Sequence, residues 1–277
     1  MYNFHTHTRF CDGSAEPEKY VEEAIRQGFS ALGFSGHAPV AFANGFAIKQ
    51  QELSEYCQTI RQLQKKYQEQ IEIYLGMEID YIPELADDFS VFDSCGLDYA
   101  IGSVHLITLP GKEALWFIDG PLREIYDQGL EDLFNGDIRQ AVTAYYHQVN
   151  RMIETQHFDV VGHMDKIKMH NQNRYFTEDE KWYRQLVSET IELIAERRLI
   201  VEVNTRGIYK KRSDSLFPGN DILEKLHERN IPIMISSDAH QPAEISNYFE
   251  QASGILRSIG FKSQMKLTAD GWKSERL

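Results

Sequence analysis

At 277 residues the chain exceeds the usual single-domain length but matches an α/β barrel built round one core. Its 42 acidic against 29 basic residues leave a formal net charge of −13, which excludes a broad nucleic-acid surface and means that a small anionic substrate needs a local basic patch. Three cysteines, Cys11, Cys57 and Cys95, without C-x-x-C spacing, exclude a disulfide framework and a thiolate zinc site. No apolar run approaches the ~20 residues that span a bilayer and no signal-like start is present, so a cytoplasmic protein with no membrane partner is expected.

The chain opens on a strand-like run over 2–5 that ends in Phe4-His5-Thr6-His7. Alternate side chains of an extended segment share a face, so His5 and His7 project together, a spacing that suits two imidazoles on one metal ion. Alone, so short a motif more often marks a polar strand end. Asp12-Gly13-Ser14 reads as a turn, with Ser14 capping a helix through about residue 27 and Glu16 and Glu18 complementing its positive end. A strand over 31–35 runs into Gly36-His37, and Pro39 blocks its extension. Leu53, Tyr56, Ile60, Leu63 and Tyr67 recur at helical spacing. A strand over 71–79 carries Gly76-Met77-Glu78, and Pro83 opens another helical stretch.

A strand over 98–105 ends in His105. Residues 106–137, with Pro110-Gly111 and 116–121, hold no sustained period and read as a long functional loop that supplies substrate selectivity. Val142, Tyr145, Val149 and Met152 mark a helix face. A strand over 158–163 then ends in His163, before a polar loop over 165–175 that contains Lys166 and Lys168. A helix through Trp182, Leu186, Thr190, Leu193 and Ile194 leads to a strand over 199–204, whose exit holds Arg206. A short helix over 222–227 precedes a strand over 231–235 that leaves through Ser237-Asp238-Ala239-His240. The last helix carries Ile245, Phe249, Ala252, Ile255 and Ile259, and 266–268 form a terminal strand. Seven strands, each followed by a helix, indicate parallel pairing, and a closed barrel brings all seven carboxyl ends to one rim.

Six of the ten histidines fall at those ends: His5, His7, His37, His105, His163 and His240. With Asp12, Glu78 and Asp238 at equivalent ends they make nine nitrogen and carboxylate donors, more than one tetrahedral ion needs. The set points to two or three divalent transition-metal ions, with zinc, manganese and iron all compatible. Paired ions of this kind serve hydrolysis, most naturally of a phosphate ester. Arg206 is the candidate phosphate cation because guanidinium matches phosphate bidentately, against the bland alternative of a rim salt bridge. Lys166 and Lys168 are further candidates, against ordinary solvated lysines, and Trp116 reads as a loop tryptophan, packed or exposed.

The motifs His5-x-His7, Asp12-Gly13, Gly36-His37, Gly76-Met77-Glu78, Gly102-Ser103-Val104-His105, Gly162-His163 and Ser237-Asp238-Ala239-His240 resemble, in order, the polymerase and histidinol phosphatase (PHP) superfamily. The likeness is strongest to its stand-alone histidinol-phosphatases. It implies a distorted (β/α)7 TIM-like barrel, one domain over 1–277, holding a trinuclear metal site. His5, His7, Glu78 and Asp238 would hold one ion. Glu78 would bridge to a second held by His105 and His163, and Asp12, His37 and His240 would hold the third.

The implied activity is hydrolysis of L-histidinol phosphate in histidine biosynthesis by in-line attack at phosphorus, with Glu78, Asp238, His240 and Arg206 as catalytic residues. Arg206, Lys166, Lys168 and Trp116 would contact the substrate, and either Asp238 or His240 would relay a proton to the leaving oxygen. The expected partner is a small phosphorylated substrate, not nucleic acid, and the sequence carries no sign of oligomeric state. Alternatives are a PHP phosphoesterase for another small phosphate or a nucleotide end, and a non-catalytic metal-binding regulator.

Overall fold

The computed structural model describes every residue except Pro110, Lys112 and Glu113, so the Pro110 half of the 110–111 turn lies outside the described residues. The strands in chain order are β1 (Tyr2–Asn3), β2 (Ala31–Phe34), β3 (Glu72–Asp80), β4 (Tyr99–Ser103), β5 (Leu106–Ile107), β6 (Trp116–Phe117), β7 (Val160–Val161), β8 (Ile200–Asn204), β9 (Ile233–Ser236), β10 (Ser263–Thr268) and β11 (Gly271–Arg276). Seven of them form one parallel sheet in the order β1-β2-β3-β4-β7-β8-β9. Its two edges meet just beyond the strands, where Thr6 and Ala239 make a parallel bridge. There the His7 amide donates to the Ala239 carbonyl at 2.8 Å and the Ala239 amide to the His5 carbonyl at 3.1 Å. The distorted (β/α)7 barrel therefore closes through the backbone that carries His5, His7 and Asp238.

The helices are α1 (Pro17–Arg26), α2 (Leu53–Tyr67), α3 (Arg123–Phe134), α4 (Ile138–Thr155), α5 (Lys181–Arg197), α6 (Arg206–Tyr209), α7 (Asn220–Glu228) and α8 (Phe249–Ile259). Each longer one buries an apolar stripe against the sheet, as α2 does with Tyr56, Ile60 and Leu63. Among the described residues no helix is long and apolar enough to cross a membrane.

A second apolar cluster fills the lower barrel with Tyr2, Phe4, Tyr74, Tyr99, Ile101, Val160, Ile200 and Met234. Phe4 packs edge-on against Tyr74, Tyr99 and Trp272 at 5.8, 5.9 and 5.6 Å. Along the strands the inward positions then change chemistry from bottom to top: Tyr74, Gly76, Glu78 and Asp80 on β3; Tyr99, Ile101 and Ser103 on β4; Ile200, Glu202 and Asn204 on β8. The two-residue period of a strand thus stacks apolar layers beneath a polar one, which places the site at the carboxyl-terminal rim.

Four local expectations are corrected. Ser14 caps no helix. Pro17 sets the first turn of α1, whose N-cap is Glu16, while the Ser14 amide donates to the His240 carbonyl at 2.8 Å. Pro83 opens no α-helix, because Ile82 and Ala86 pair and Glu84 takes a left-handed φ of 69°; a 3-10 segment, Phe89–Cys95, follows instead. Residues 106–137 are not one loop but the antiparallel pair β5–β6 followed by α3. The terminal strand is half of a hairpin, β10–β11, whose Leu267 and Trp272 plug the bottom of the barrel.

Candidate active site

Glu78 is the hub of the rim. Its Oε2 lies 3.1 Å from His5 Nε2, 3.5 Å from His7 Nε2 and 3.3 Å from His37 Nδ1. Its Oε1 lies 3.0 Å from His163 Nε2 and 3.6 Å from His105 Nε2, and accepts from Ser103 Oγ at 2.7 Å. Gly162 makes room for that hydroxyl, since a Cβ there would sit 2.3 Å from Ser103 Oγ. Asp238 Oδ1 lies 3.3 Å from His7 Nε2 and 3.4 Å from His240 Nδ1, and Oδ2 accepts from Asn204 Nδ2 at 3.1 Å. Asp12 reaches His240 Nε2 at 3.0 Å and His7 Nδ1 at 3.4 Å. All nine candidate donors therefore meet at one place.

Three sets have donor atoms mutually within 4.8 Å: His7, Asp12, His37 and His240; His5, His7 and Asp238; and His37, Glu78 and His105. These sets overlap the grouping that the resemblance implies but differ from it: His7 and His37 are each shared by two sets, Glu78 falls in the third set alone, and His163 stands outside, 3.0 Å from Glu78.

Two carboxylates that sequence reasoning passed over support these donors from behind. Glu202, fully buried on β8, accepts the His5 Nδ1–H and, at 2.8 Å, the His163 amide. Asp80 Oδ1 accepts from His105 Nδ1 at 2.6 Å. Each pairing leaves the other ring nitrogen of its histidine, Nε2, as a lone pair facing the cluster, the arrangement by which outer carboxylates orient metal-binding imidazoles. A signal was available for both: Glu202 is a lone acid in an otherwise apolar strand, and Asp80 is two residues beyond Glu78 on the same face.

Burial opposes charge on Glu78 and Asp238, yet His5 first among the surrounding imidazoles holds both well below the ordinary carboxylate range. Burial likewise opposes protonation of His5, but Glu202, Glu78 and Asp238 drive it well above its usual value. Against the same burial, Glu78 foremost raises His37 to about 9 and Asp80 raises His105 to about 10. Burial and His240 push His7 down to about 3.

Without added cations, so many buried carboxylates are balanced only by turning imidazoles into imidazolium. Divalent ions would supply that charge and leave the rings neutral, the form in which they ligate. The donor set fits such ions. His105 Nε2 and His163 Nε2 face each other at 3.1 Å, and His7 Nε2, His37 Nδ1 and Asp80 Oδ2 are buried without a hydrogen-bond partner.

Above the cluster lies a cavity of 670 Å³, lined on one side by Phe46, Phe117 and Asp119 and on another by Arg206, Lys210 and Arg212, with Lys166 between. Arg206 Nη1 donates to the Asp238 carbonyl at 2.7 Å. Among the described residues all its side-chain hydrogen bonds use Nη1, which leaves Nε and Nη2 for a ligand. Lys166 Nζ lies 3.4 Å from Asp119 and 3.9 Å from Asp238.

Two residues expected to contact the substrate do not line this cavity. Lys168 is buried in an ion pair with Asp165 at 2.7 Å and Glu178 at 3.2 Å. Trp116 is 1% exposed and packs against Tyr126 and Phe134, because the strand pleat turns Phe117, not Trp116, toward the cavity.

A sequence profile described as PHP domain matches residues 3–206. This chain belongs to the PHP domain family. Across most of its length the PHP chain is similar to the "Probable histidinol-phosphatase" of Deinococcus radiodurans, 27% identical over 92% of this chain and 92% of that protein. It is also similar to the histidinol-phosphatase of Bacillus subtilis, 26% identical over 89% of this chain and 96% of that one. The PHP fold is shared with the solved histidinol phosphate phosphatase of Lactococcus lactis complexed with zinc, L-histidinol and phosphate. Those two structures have a TM-score of 0.68 at 20% identity and cover 98% of each other.

Proposed function

We propose that this chain is a metal-dependent phosphomonoesterase that hydrolyses L-histidinol phosphate to L-histidinol and phosphate. The reaction class rests on one observation, the Glu78 carboxylate shared between two groups of imidazoles on the floor of a cavity with a cationic wall. The substrate rests on the likeness, across about nine-tenths of the chain, to proteins so named, one of which was solved with L-histidinol and phosphate. All three cysteines are free thiols, which supports a reducing, cytoplasmic setting.

We assign the ions to His5, His7, Glu78 and Asp238; to Glu78, His105 and His163; and to Asp12, His37 and His240. Divalent metals bound there would acidify water and neutralise phosphate oxygens. The chain's own groups do the rest. Arg206 presents Nε and Nη2 to the non-bridging oxygens, and Lys166 adds a second cation. Water oxygen bonds to phosphorus as the bond to the alcohol oxygen breaks, and that oxygen takes a proton. Asp238 and His240 both line the cavity and are the two groups placed to relay that proton. Phe46 and Phe117, 5.6 Å apart, form a wall for the imidazole ring, and Asp119 Oδ1, buried without a partner, accepts the ammonium.

The test is phosphate release from L-histidinol phosphate, p-nitrophenyl phosphate and a 3′-phosphorylated oligonucleotide after loading with zinc, manganese or iron(II). Histidinol phosphate should have the highest kcat/KM. No turnover with any metal, or preference for either other substrate, overturns the assignment.

A further inference from the structure

Glu202 is completely buried in β8, between Val201 and Val203, where an isolated carboxylate would be strongly disfavoured. Three donors converge on it. The His5 Nδ1–H and the Ser236 hydroxyl, the latter at 2.5 Å, meet Oε1, and the His163 amide meets Oε2 at 2.8 Å. None of these contacts is directed into the donor cluster, since Glu202 approaches His5 from the ring edge opposite Nε2. It therefore stands outside the assigned ligands while gripping a member of two different groups, the ring of His5 and the backbone of His163. We propose that Glu202 is the positioning residue that sets the His5 tautomer and ties the His5 and His163 positions together, so that both ion positions depend on one carboxylate.

The inference rests on the metal-site reading above and adds to it a residue that is not a ligand. The reasoning is local. A carboxylate can accept from all three donors at once and holds the His5 proton on Nδ1, leaving Nε2 as a lone pair for the cluster. A glutamine has the same shape but one acceptor oxygen. Whichever way its amide is placed, an N–H2 faces the His163 amide or the His5 ring. In the second case the ring is driven to the other tautomer, with Nε2–H aimed where a cation should sit. Outer partners of this kind change metal affinity roughly 10- to 100-fold.

The experiment compares the native chain with Glu202→Gln, each prepared metal-free. Both are titrated with zinc chloride for bound zinc per chain and followed by the thermal midpoint without and with zinc. The native chain should bind zinc and rise in midpoint. Glu202→Gln should lower the metal-free midpoint, because the carboxylate that pairs with His5 and takes three hydrogen bonds is gone, and should also bind zinc about 10- to 100-fold more weakly and show a smaller zinc-induced rise. A purely structural glutamate lowers the metal-free midpoint but leaves zinc affinity and the zinc-induced rise native, and that outcome overturns the proposal. If Glu202→Gln does not fold, Glu202→Asp keeps the charge but shortens the reach. A weakened zinc response in it supports the proposal and an undiminished one overturns it. A native chain that binds no zinc defeats the metal-site reading itself, a result distinct from native binding that survives both substitutions.

Discussion

Glu78 touches five imidazoles because β3 turns every second side chain inward and the adjoining strands end at the same height. Glu78→Gln keeps the volume but removes the charge shared by two groups of donors. It should lower kcat/KM by at least ~10²-fold and reduce bound metal per chain, read by steady-state kinetics and elemental analysis on the same preparation. Retained activity would contradict the sharing role. Arg206 acts differently, since it bonds the backbone of Asp238 and not a carboxylate of the cluster. Arg206→Ala should cost ~1.5 to 3 kcal/mol of transition-state binding, roughly ten- to hundredfold in kcat/KM, with metal content intact. Unchanged kinetics would reduce Arg206 to a rim contact with Glu244, 3.5 Å away.

At the scale of elements, the β5–β6 pair decides which aromatic meets the substrate. Trp116 and Phe117 are neighbours in a strand and so face opposite ways, one into the packing against α3 and one into the cavity. Gly129 on α3 underlies this packing, since a Cβ there would lie 2.1 Å from the Trp116 ring. Trp116→Ala should therefore destabilise the chain by about 3 to 5 kcal/mol, read by denaturant unfolding. Phe117→Ala should leave stability nearly native and raise KM for histidinol phosphate more than for p-nitrophenyl phosphate. Equal losses on both substrates would remove Phe117 from the leaving-group wall.

For the whole molecule, the balance of buried charge makes stability depend on metal and on pH together. In the metal-free chain His37 and His105 are raised to about 9 and about 10 from an ordinary value of 6.5, mainly by Glu78 and Asp80 working against burial. A histidine raised on folding contributes stability that is fully present below its unfolded value and is lost as pH rises through the folded one. Thermal midpoints of chelator-treated protein should thus fall from about pH 6.5 toward pH 10. Metal-loaded protein, whose imidazoles stay neutral, should show a much flatter profile over that range. Parallel profiles would mean that no metal balances this cluster.

Much of this was legible in the sequence because it depends on local period. The alternation of apolar strands and amphipathic helices specified the seven parallel strands, all but β3 followed by an α-helix, and the polar residues at or just past the strand ends marked the rim and the nine candidate donors. Other features required the third dimension. Glu202 and Asp80 lie within strands, where a single acid gives no sign of the imidazole it faces until β1, β3, β4 and β8 are placed side by side. Trp116 and Phe117 are indistinguishable as neighbouring aromatics, and only the register of β5 against β6 determines which one turns inward. Lys168 and Lys166 sit two residues apart in one polar loop, and only folding sends one to Asp165 and Glu178 and the other to the cavity. The sequence by itself determined the repeating unit and its chemistry at the ends, since both follow from short-range geometry. The tertiary structure decided which side chains share a partner, since that depends on contacts between residues far apart in the chain.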